Sequence, residues 1–155
     1  MRRLIALAIC LATVPAGQAT AADARRVLPA GTIIRVTPVT EISSKRLHRD
    51  DPVAFQVAES IYRDDTILLA RGTPVRGVVS WRARRNFFGK RAKFDVTFRS
   101  VTLGGREWAL AGRARRVSTR NEGAFGDMLV SRPPHAVMRP GEAFTATLAE
   151  AIRLP

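Results

Sequence analysis

From residue 28 onward, the chain consists of short runs in which apolar and polar residues alternate, separated by turns rich in glycine, proline and aspartate. Alternation with a period of two is typical of a strand that buries one face. The clearest runs are residues 32–36, 53–58, 75–81, 92–99, 106–111 and 143–148. We find no convincing period of an amphipathic helix. The pattern predicts an all-β fold, either a small β-barrel or a sandwich of short antiparallel strands.

A corner with a glycine precedes three of these runs. The sequence reads LPAGT at residues 28–32, LLARGT at 68–73 and MRPGE at 138–142. In each corner, Gly31, Gly72 or Gly141 supplies a turn that a Cβ would strain, and β-forming residues follow. We therefore predict three equivalent turns, each of which leads into a strand.

Two further signals concern strand register. The pair Gly104-Gly105 is a strong signal for a two-residue hairpin. Before it, apolar residues stand at even positions up to Phe98 and at odd positions from Val101. This phase slip predicts a β-bulge near Ser100, and Gly77 in the preceding run is a second candidate for a bulge or bend.

The N-terminus has the layout of a secretory signal peptide. Two arginines precede the apolar run of residues 4–14, and Ala19-Thr20-Ala21 has the small-x-small form of a cleavage site. The run is too short for a permanent membrane anchor. The alternatives are a buried N-terminal helix and a cleavage site after Ala24. Cys10 lies inside the apolar run without a small residue before it, which argues against lipid attachment.

We therefore expect a signal peptide at residues 1–21, a flexible lead at 22–27 and a single β-barrel-like domain at 28–155. The expected location is the periplasm, with no transmembrane segment after cleavage. The exported chain would hold no cysteine, so its stability would come from its core rather than from disulfides.

The charge is concentrated in one part of the chain. The sequence holds 26 lysines and arginines against 13 acidic residues, a net charge of +13 at pH 7. Residues 81–120 carry 12 basic residues against Asp95 and Glu107, whereas residues 22–80 and 121–155 are close to neutral. A charge so localised gives the electric field a direction and favours an anionic partner.

The candidate site combines this charge with two aromatic residues on a predicted connection between strands. Arginines would attract an anionic surface, and Phe87 and Phe88 would insert or stack. The alternative is a solvated loop whose phenylalanines fold back onto the barrel. The predicted anion-binding residues are Arg82, Arg84, Arg85, Phe87, Phe88, Lys90, Arg91, Lys93, Arg113, Arg115 and Arg116.

Motifs of enzymatic chemistry are not found in the sequence. The two histidines, His48 and His135, are far apart, and the acidic pairs Asp50-Asp51 and Asp64-Asp65 stand in predicted turns, where aspartates bond to local backbone. We find no nucleophile elbow, phosphate-binding loop or dinucleotide fingerprint. We expect no catalytic residue, no metal and no cofactor.

The order of motifs carries a resemblance. LPAGT, a strand, ISS at residues 42–44, LLARGTPVRGVV at 68–79, a basic loop and the GG hairpin resemble a family of exported proteobacterial β-domain proteins of the LPAGT type. More distantly, they are similar to the β-barrel domain of TrbI-like scaffold proteins of type IV secretion and conjugation channels. The resemblance covers about residues 28–112 and 140–148, and it implies a β-barrel in the cell envelope. The channel scaffolds also carry a membrane anchor, where we expect a cleavable signal here, and inserted helices that reach the outer membrane, for which residues 117–137 are too short and too polar.

The leading hypothesis is a non-enzymatic periplasmic β-domain that binds or scaffolds at the envelope. Its partner would be an anionic component (lipid A, phospholipid or peptidoglycan) or an envelope protein. The alternative is a nucleic-acid-binding protein linked to DNA transfer, which would show a steep salt dependence of DNA affinity. A hydrolase with an unrecognised site is a third hypothesis.

Overall fold

The computed structural model describes residues 27–83, 92–118 and 135–154. Within these ranges every regular element is a strand, so the predicted all-β fold is confirmed. The strands are β1 (Val27–Leu28), β2 (Ile33–Pro38), β3 (Ile42–Ser43), β4 (Pro52–Val57), β5 (Ile61–Arg63), β6 (Thr66–Leu69), β7 (Pro74–Ala83), β8 (Lys93–Leu103), β9 (Arg106–Ala111), β10 (Arg113–Val117), β11 (Val137–Met138), β12 (Phe144–Leu148) and β13 (Ile152–Arg153).

Six of the strands pair into a closed ring. The antiparallel pairs are β2–β4, β4–β7, β7–β8, β8–β9, β9–β12 and β12–β2, so the order returns to its starting strand. β10 joins as a seventh strand and pairs with the first half of β8. Closure satisfies the backbone groups that an open sheet edge would expose. The pairing corresponds to the barrel alternative of the prediction.

The core fills the inside of this ring. Phe55 packs edge-to-face against Phe98 and Phe144, with ring centroids 5.2 Å and 6.4 Å apart. This is a favoured arrangement of aromatic rings. Gly77 stands where a Cβ would lie 2.8 Å from a methyl carbon of Val96, so the missing side chain lets the core close at this point.

Short strand pairs lie at the two ends of the ring. β3 pairs with β11 beside the ends of β2 and β7 and the starts of β4, β8 and β12, and we call this the cap end. The opposite end carries the pairs β1–β13 and β5–β6. Both long connections that carry charged residues, β7 to β8 and β10 to β11, join strands at the cap end.

The predicted bulge near Ser100 and the predicted hairpin turn are confirmed, whereas Gly77 is a paired residue and not itself a bulge. Ser100 pairs with Arg76 and Phe98 with Gly77, which leaves Arg99 as an extra, bulged residue on β8. A second bulge, which the sequence did not predict, leaves Ser80 as the extra residue on β7. Gly104-Gly105 forms the turn of the β8–β9 hairpin, with φ of +60° and +76°.

The three glycine corners have the same geometry. In each, the residue after the glycine donates its N–H to the carbonyl three residues earlier, and the glycine has a φ between +83° and +89°. The first two corners also hold the last residue of a neighbouring strand by two backbone hydrogen bonds, Leu148 of β12 in one case and Val57 of β4 in the other. The prediction of equivalent turns is confirmed, and these turns fix where β2 and β7 begin.

Candidate anion-binding face

The strand register decides which basic side chains share a surface. On β8, Phe94, Val96 and Phe98 are buried in the core, so the residues between them point outward. Directly opposed residues of antiparallel strands share a face of the sheet. Arg115 of β10 lies opposite Asp95, and Arg113 lies opposite Thr97. These two arginines therefore stand on the outer face of the ring.

Asp95 is the centre of this face. Its side chain is buried, with 1% of the residue exposed, although it lies on the outer side of β8. Arg115 donates Nε–H and Nη2–H to its two carboxylate oxygens, both at 2.9 Å. Arg113 approaches the same carboxylate, with Nη1 at 3.7 Å from Oδ2. Two guanidinium groups thus share one carboxylate, and one positive charge remains uncompensated.

The pairing with Asp95 also favours the charged form of Arg115. The hydrogen bond that Arg115 donates to Asp95 raises the pKa of Arg115 above its ordinary value, and the charge of Asp95 raises it further. Burial opposes this shift only weakly, since the guanidinium is exposed. Arginine is charged at physiological pH without this shift, so the pairing adds to the stability of a charge that is already present.

Other basic residues extend this surface along β7 and β8. Lys93 and the bulged Arg99 are exposed, and Arg76 lies opposite Ser100 with its guanidinium 3.2 Å from Glu107. We call the outer surface formed by these residues the basic face. Its members are Arg76, Lys93, Arg99, Arg113 and Arg115, together with the acidic Asp95 and Glu107. Trp81, which is 44% exposed, lies opposite Asp95 at its border.

Two of the sequence-predicted site residues point the other way. Arg82 and Arg116 lie opposite the buried Phe94, one on each side. Arg82 Nη2 donates to the Ser44 carbonyl at 2.7 Å. Arg116 Nε donates to the Val137 carbonyl at 2.6 Å, and its Nη2 bonds the carboxylate of Glu142. These contacts attach β3 and β11 to the ring, so both arginines stabilise the cap end and do not extend the basic face.

The remaining predicted residues lie outside the described part of the chain. They are Arg84, Arg85, Phe87, Phe88, Lys90 and Arg91. The flanking residues are described: Ala83 at the end of β7 pairs with Lys93 at the start of β8. A binding role for the six residues stays a prediction from the sequence.

Arg76 and Arg99 belong to the basic face, although sequence reasoning did not select them. Arg76 alternates with the buried Val75 on a strand, which is a readable signal. Arg99 stands at the phase slip of β8, where a bulge carries an extra residue to the surface. Both signals are present in the sequence, in the strands on either side of the basic loop.

The other candidate sites have a structural explanation. Asp64 and Asp65 form the turn between β5 and β6 with positive φ, which confirms the predicted turn. Asp51 accepts a hydrogen bond from the backbone N–H of His48. Within the described ranges, no cluster of three or more histidine, cysteine, aspartate or glutamate side chains is placed to hold a metal ion. No helix in these ranges is long and apolar enough to cross a membrane.

An open groove of about 530 Å³ runs along the outside of β4 and β7. Its outer lining is mostly apolar or uncharged, and it reaches the ion pair between Arg76 and Glu107 at one end. The groove therefore adjoins the basic face. The outer lining residues are Val39, Pro52, Ala54, Gln56, Pro74 and Thr102.

Comparison with known proteins gives a distant structural similarity. No protein-family model matches the sequence, and no curated protein matches it as a relative. Among solved structures, the chain is similar to ComB10 of the Com type IV secretion system of Helicobacter pylori. The two share 16% sequence identity and a TM-score of 0.47, over 86% of this chain and 93% of the other.

Proposed function

We propose that this protein is a non-enzymatic β-domain of the bacterial cell envelope that binds an anionic component through its basic face. The observation that carries the proposal is the surplus of positive charge around Asp95. Two guanidinium groups share that one carboxylate. Lys93 and Arg99 are exposed, and neither has an ion-pair partner among the described residues.

The basic face is suited to binding because its charges stand on paired strands. The five basic residues face two acidic ones, so the surface keeps a net charge of +3. Such a surface attracts anions over about 8 Å at physiological ionic strength. The sequence adds four further basic residues between β7 and β8, at positions 84, 85, 90 and 91.

The envelope location and the scaffold role rest on the sequence. The signal-peptide pattern of residues 1–21 supports export to the periplasm. The resemblance to TrbI-like scaffold proteins supports a role in a secretion-related assembly, with an envelope protein as a further partner. The lack of a catalytic motif in the sequence supports a binding function over an enzymatic one.

A binding panel with matched variants tests the proposal. The purified protein is titrated with anionic phospholipid vesicles, peptidoglycan and DNA at several salt concentrations. The face variant replaces Lys93, Arg99 and Arg113 by serine. The control variant replaces Arg35, Arg139 and Arg153 by serine. These residues lie elsewhere on the surface, so the control loses the same amount of charge as the face variant. Arg115 is kept in both, since its removal would leave Asp95 buried without its bidentate partner.

We expect the protein to bind one envelope component, and the face variant to bind it about 100-fold more weakly, at about 1 kcal/mol per cationic side chain near an anionic surface. The control variant should keep most of the affinity. Equal losses in the two variants would show that net charge alone binds and would contradict the proposal. A clear preference for DNA would support the nucleic-acid alternative instead.

A further inference from the structure

We infer that Asp95 makes the basic face selective for phosphate monoester groups by holding Arg115 in one fixed arrangement, with Arg113 and Lys93 on either side of it. The inference rests on the proposed function and names the ligand class of the same surface. Asp95 would act as a positioning residue, since its own carboxylate faces the arginines and not the ligand.

The geometry leaves donors free for a ligand. Arg115 uses Nε and Nη2, one edge of its guanidinium, to bind Asp95. A guanidinium carries five N–H donors in a rigid plane, so the edge with Nη1 stays available. The side chains of Arg113 and Arg115 are 63% and 62% exposed. The carboxylate therefore orients these groups without covering them.

The local charge matches a phosphate monoester. Lys93, Arg113 and Arg115 against Asp95 give a net charge of +2. A phosphate monoester carries a charge of about −1.5 to −2 at pH 7 and three acceptor oxygens. A phosphodiester or a carboxylate carries a single negative charge and would leave the site undercompensated. Along the strands, Arg113 and Lys93 lie about 7 Å to either side of the Asp95–Arg115 pair, so both long side chains can reach a phosphate group bound at Arg115.

Attraction of anions by charge alone would be stronger without Asp95. A buried carboxylate lowers the net positive charge by one and carries a desolvation penalty. Its bidentate hydrogen bonds fix the geometry of Arg115, and fixed donors are what selective recognition of a planar or tetrahedral oxyanion requires. Attraction by charge alone and the positioning role of Asp95 therefore predict opposite changes in affinity when Asp95 is replaced by asparagine.

The test compares vesicles that contain phosphatidic acid, a monoester, with vesicles that contain phosphatidylglycerol, a diester, at equal surface charge. We expect the purified protein to bind phosphatidic acid about 10-fold more tightly, which corresponds to one good charge-assisted interaction. The variant Asp95→Asn loses one negative charge, so its net charge is more positive by one. Attraction by charge alone therefore predicts tighter binding to both kinds of vesicle. We expect it to bind phosphatidic acid more weakly and to lose the preference.

Two charge-preserving variants keep the test valid if Asp95→Asn does not fold. Arg113→Lys retains the charge of an exposed residue but loses the planar donor edge, and we expect it to lose the preference. Arg99→Lys, the matched control on the same face, should keep it. Inorganic phosphate, with chloride at equal ionic strength as control, separates the sources of the group. If inorganic phosphate displaces the protein from phosphatidic acid vesicles, the free group is a sufficient ligand. If the protein stays on the vesicles, the site requires the lipid-held group. Both results support the site.

The failure of this inference differs from the failure of the proposed function. Equal binding to both vesicles, made stronger by Asp95→Asn, would overturn the inference and leave the basic face as a general anion-binding surface. The absence of binding to both vesicles and to peptidoglycan would overturn the proposed function itself.

Discussion

Gly72 shows how one residue sets the start of a strand. Its φ is +85°, and no atom lies within 4 Å of the position that a Cβ would take. A side chain at this residue would therefore meet no neighbour, and the whole cost of substitution would come from the backbone. Because Gly72 also donates its N–H to the carbonyl of Val57, a distorted corner would loosen the end of β4.

We predict that Gly72→Ala lowers the free energy of unfolding by about 1–2 kcal/mol, the cost of a left-handed conformation for a residue with a Cβ. Gly72→Asn should cost less, since asparagine tolerates this conformation better. Urea unfolding of the three proteins measures the difference. If asparagine destabilised the protein as much as alanine, the backbone would not be the cause.

The sequence pattern of β7 does not show on which side of the sheet Arg82 lies. The alternation of Val75, Gly77 and Val79 places the next odd residue, Trp81, inside and Arg82 outside. The bulge at Ser80 reverses this phase, so Trp81 lies outside and Arg82 points toward the cap end. Nothing in the sequence marks Ser80 as a bulge.

At the scale of elements, β8 shows what the sequence does reveal. The apolar phase slip between Phe98 and Val101 is a local signal, and it predicted the bulge that the pairing with β7 contains. The strand β10 was not predicted, because Ala114 is the one apolar residue between Arg113 and Arg116 and gives little pattern. Its place on β8 depends on long-range pairing, and with it the position of Arg115 at Asp95.

The bulge makes a prediction about deletions in β8. Removal of Arg99 should restore strict alternation, because Phe98 and Val101 then point inward with one residue between them. Removal of Thr97 shortens β8 by the same length but moves Phe98 to the outer face and Arg99 into the core, while the residues on either side of this pair keep their faces. The loss of buried Phe98 costs about 3–5 kcal/mol, and an unpaired charge in the core costs several kcal/mol more, which together approach the whole stability of a domain, about 5–15 kcal/mol.

We therefore expect the Arg99 deletion to fold and to unfold cooperatively in urea, and the Thr97 deletion to lose the folded state. Arg99→Ala serves as the control for the loss of the side chain alone. Similar effects of the two deletions would contradict the assignment of Arg99 as the extra residue.

At the scale of the whole molecule, the sequence predicted strands and turns but left barrel and sandwich open. The reason is physical: closure depends on the pairing of β12 with both β2 and β9, and the first of these pairs joins segments more than 100 residues apart. The clustering of charge was visible in the sequence. The sequence did not show which of these charged residues lie on the basic face and which attach the cap end to the ring. Ring closure and the two bulges of β7 and β8 determine that division.

We propose that anions bind at the basic face formed by β7, β8 and β10. The most direct test is a titration of the isotope-labelled protein with a short-chain phosphatidic acid, followed by NMR chemical shifts of the backbone amides. We predict that the largest shifts fall at residues 93–99 and 113–115, with small changes at the opposite end of the ring. Shifts that centre on β5 and β6, or that spread evenly over all exposed arginines, would contradict the account.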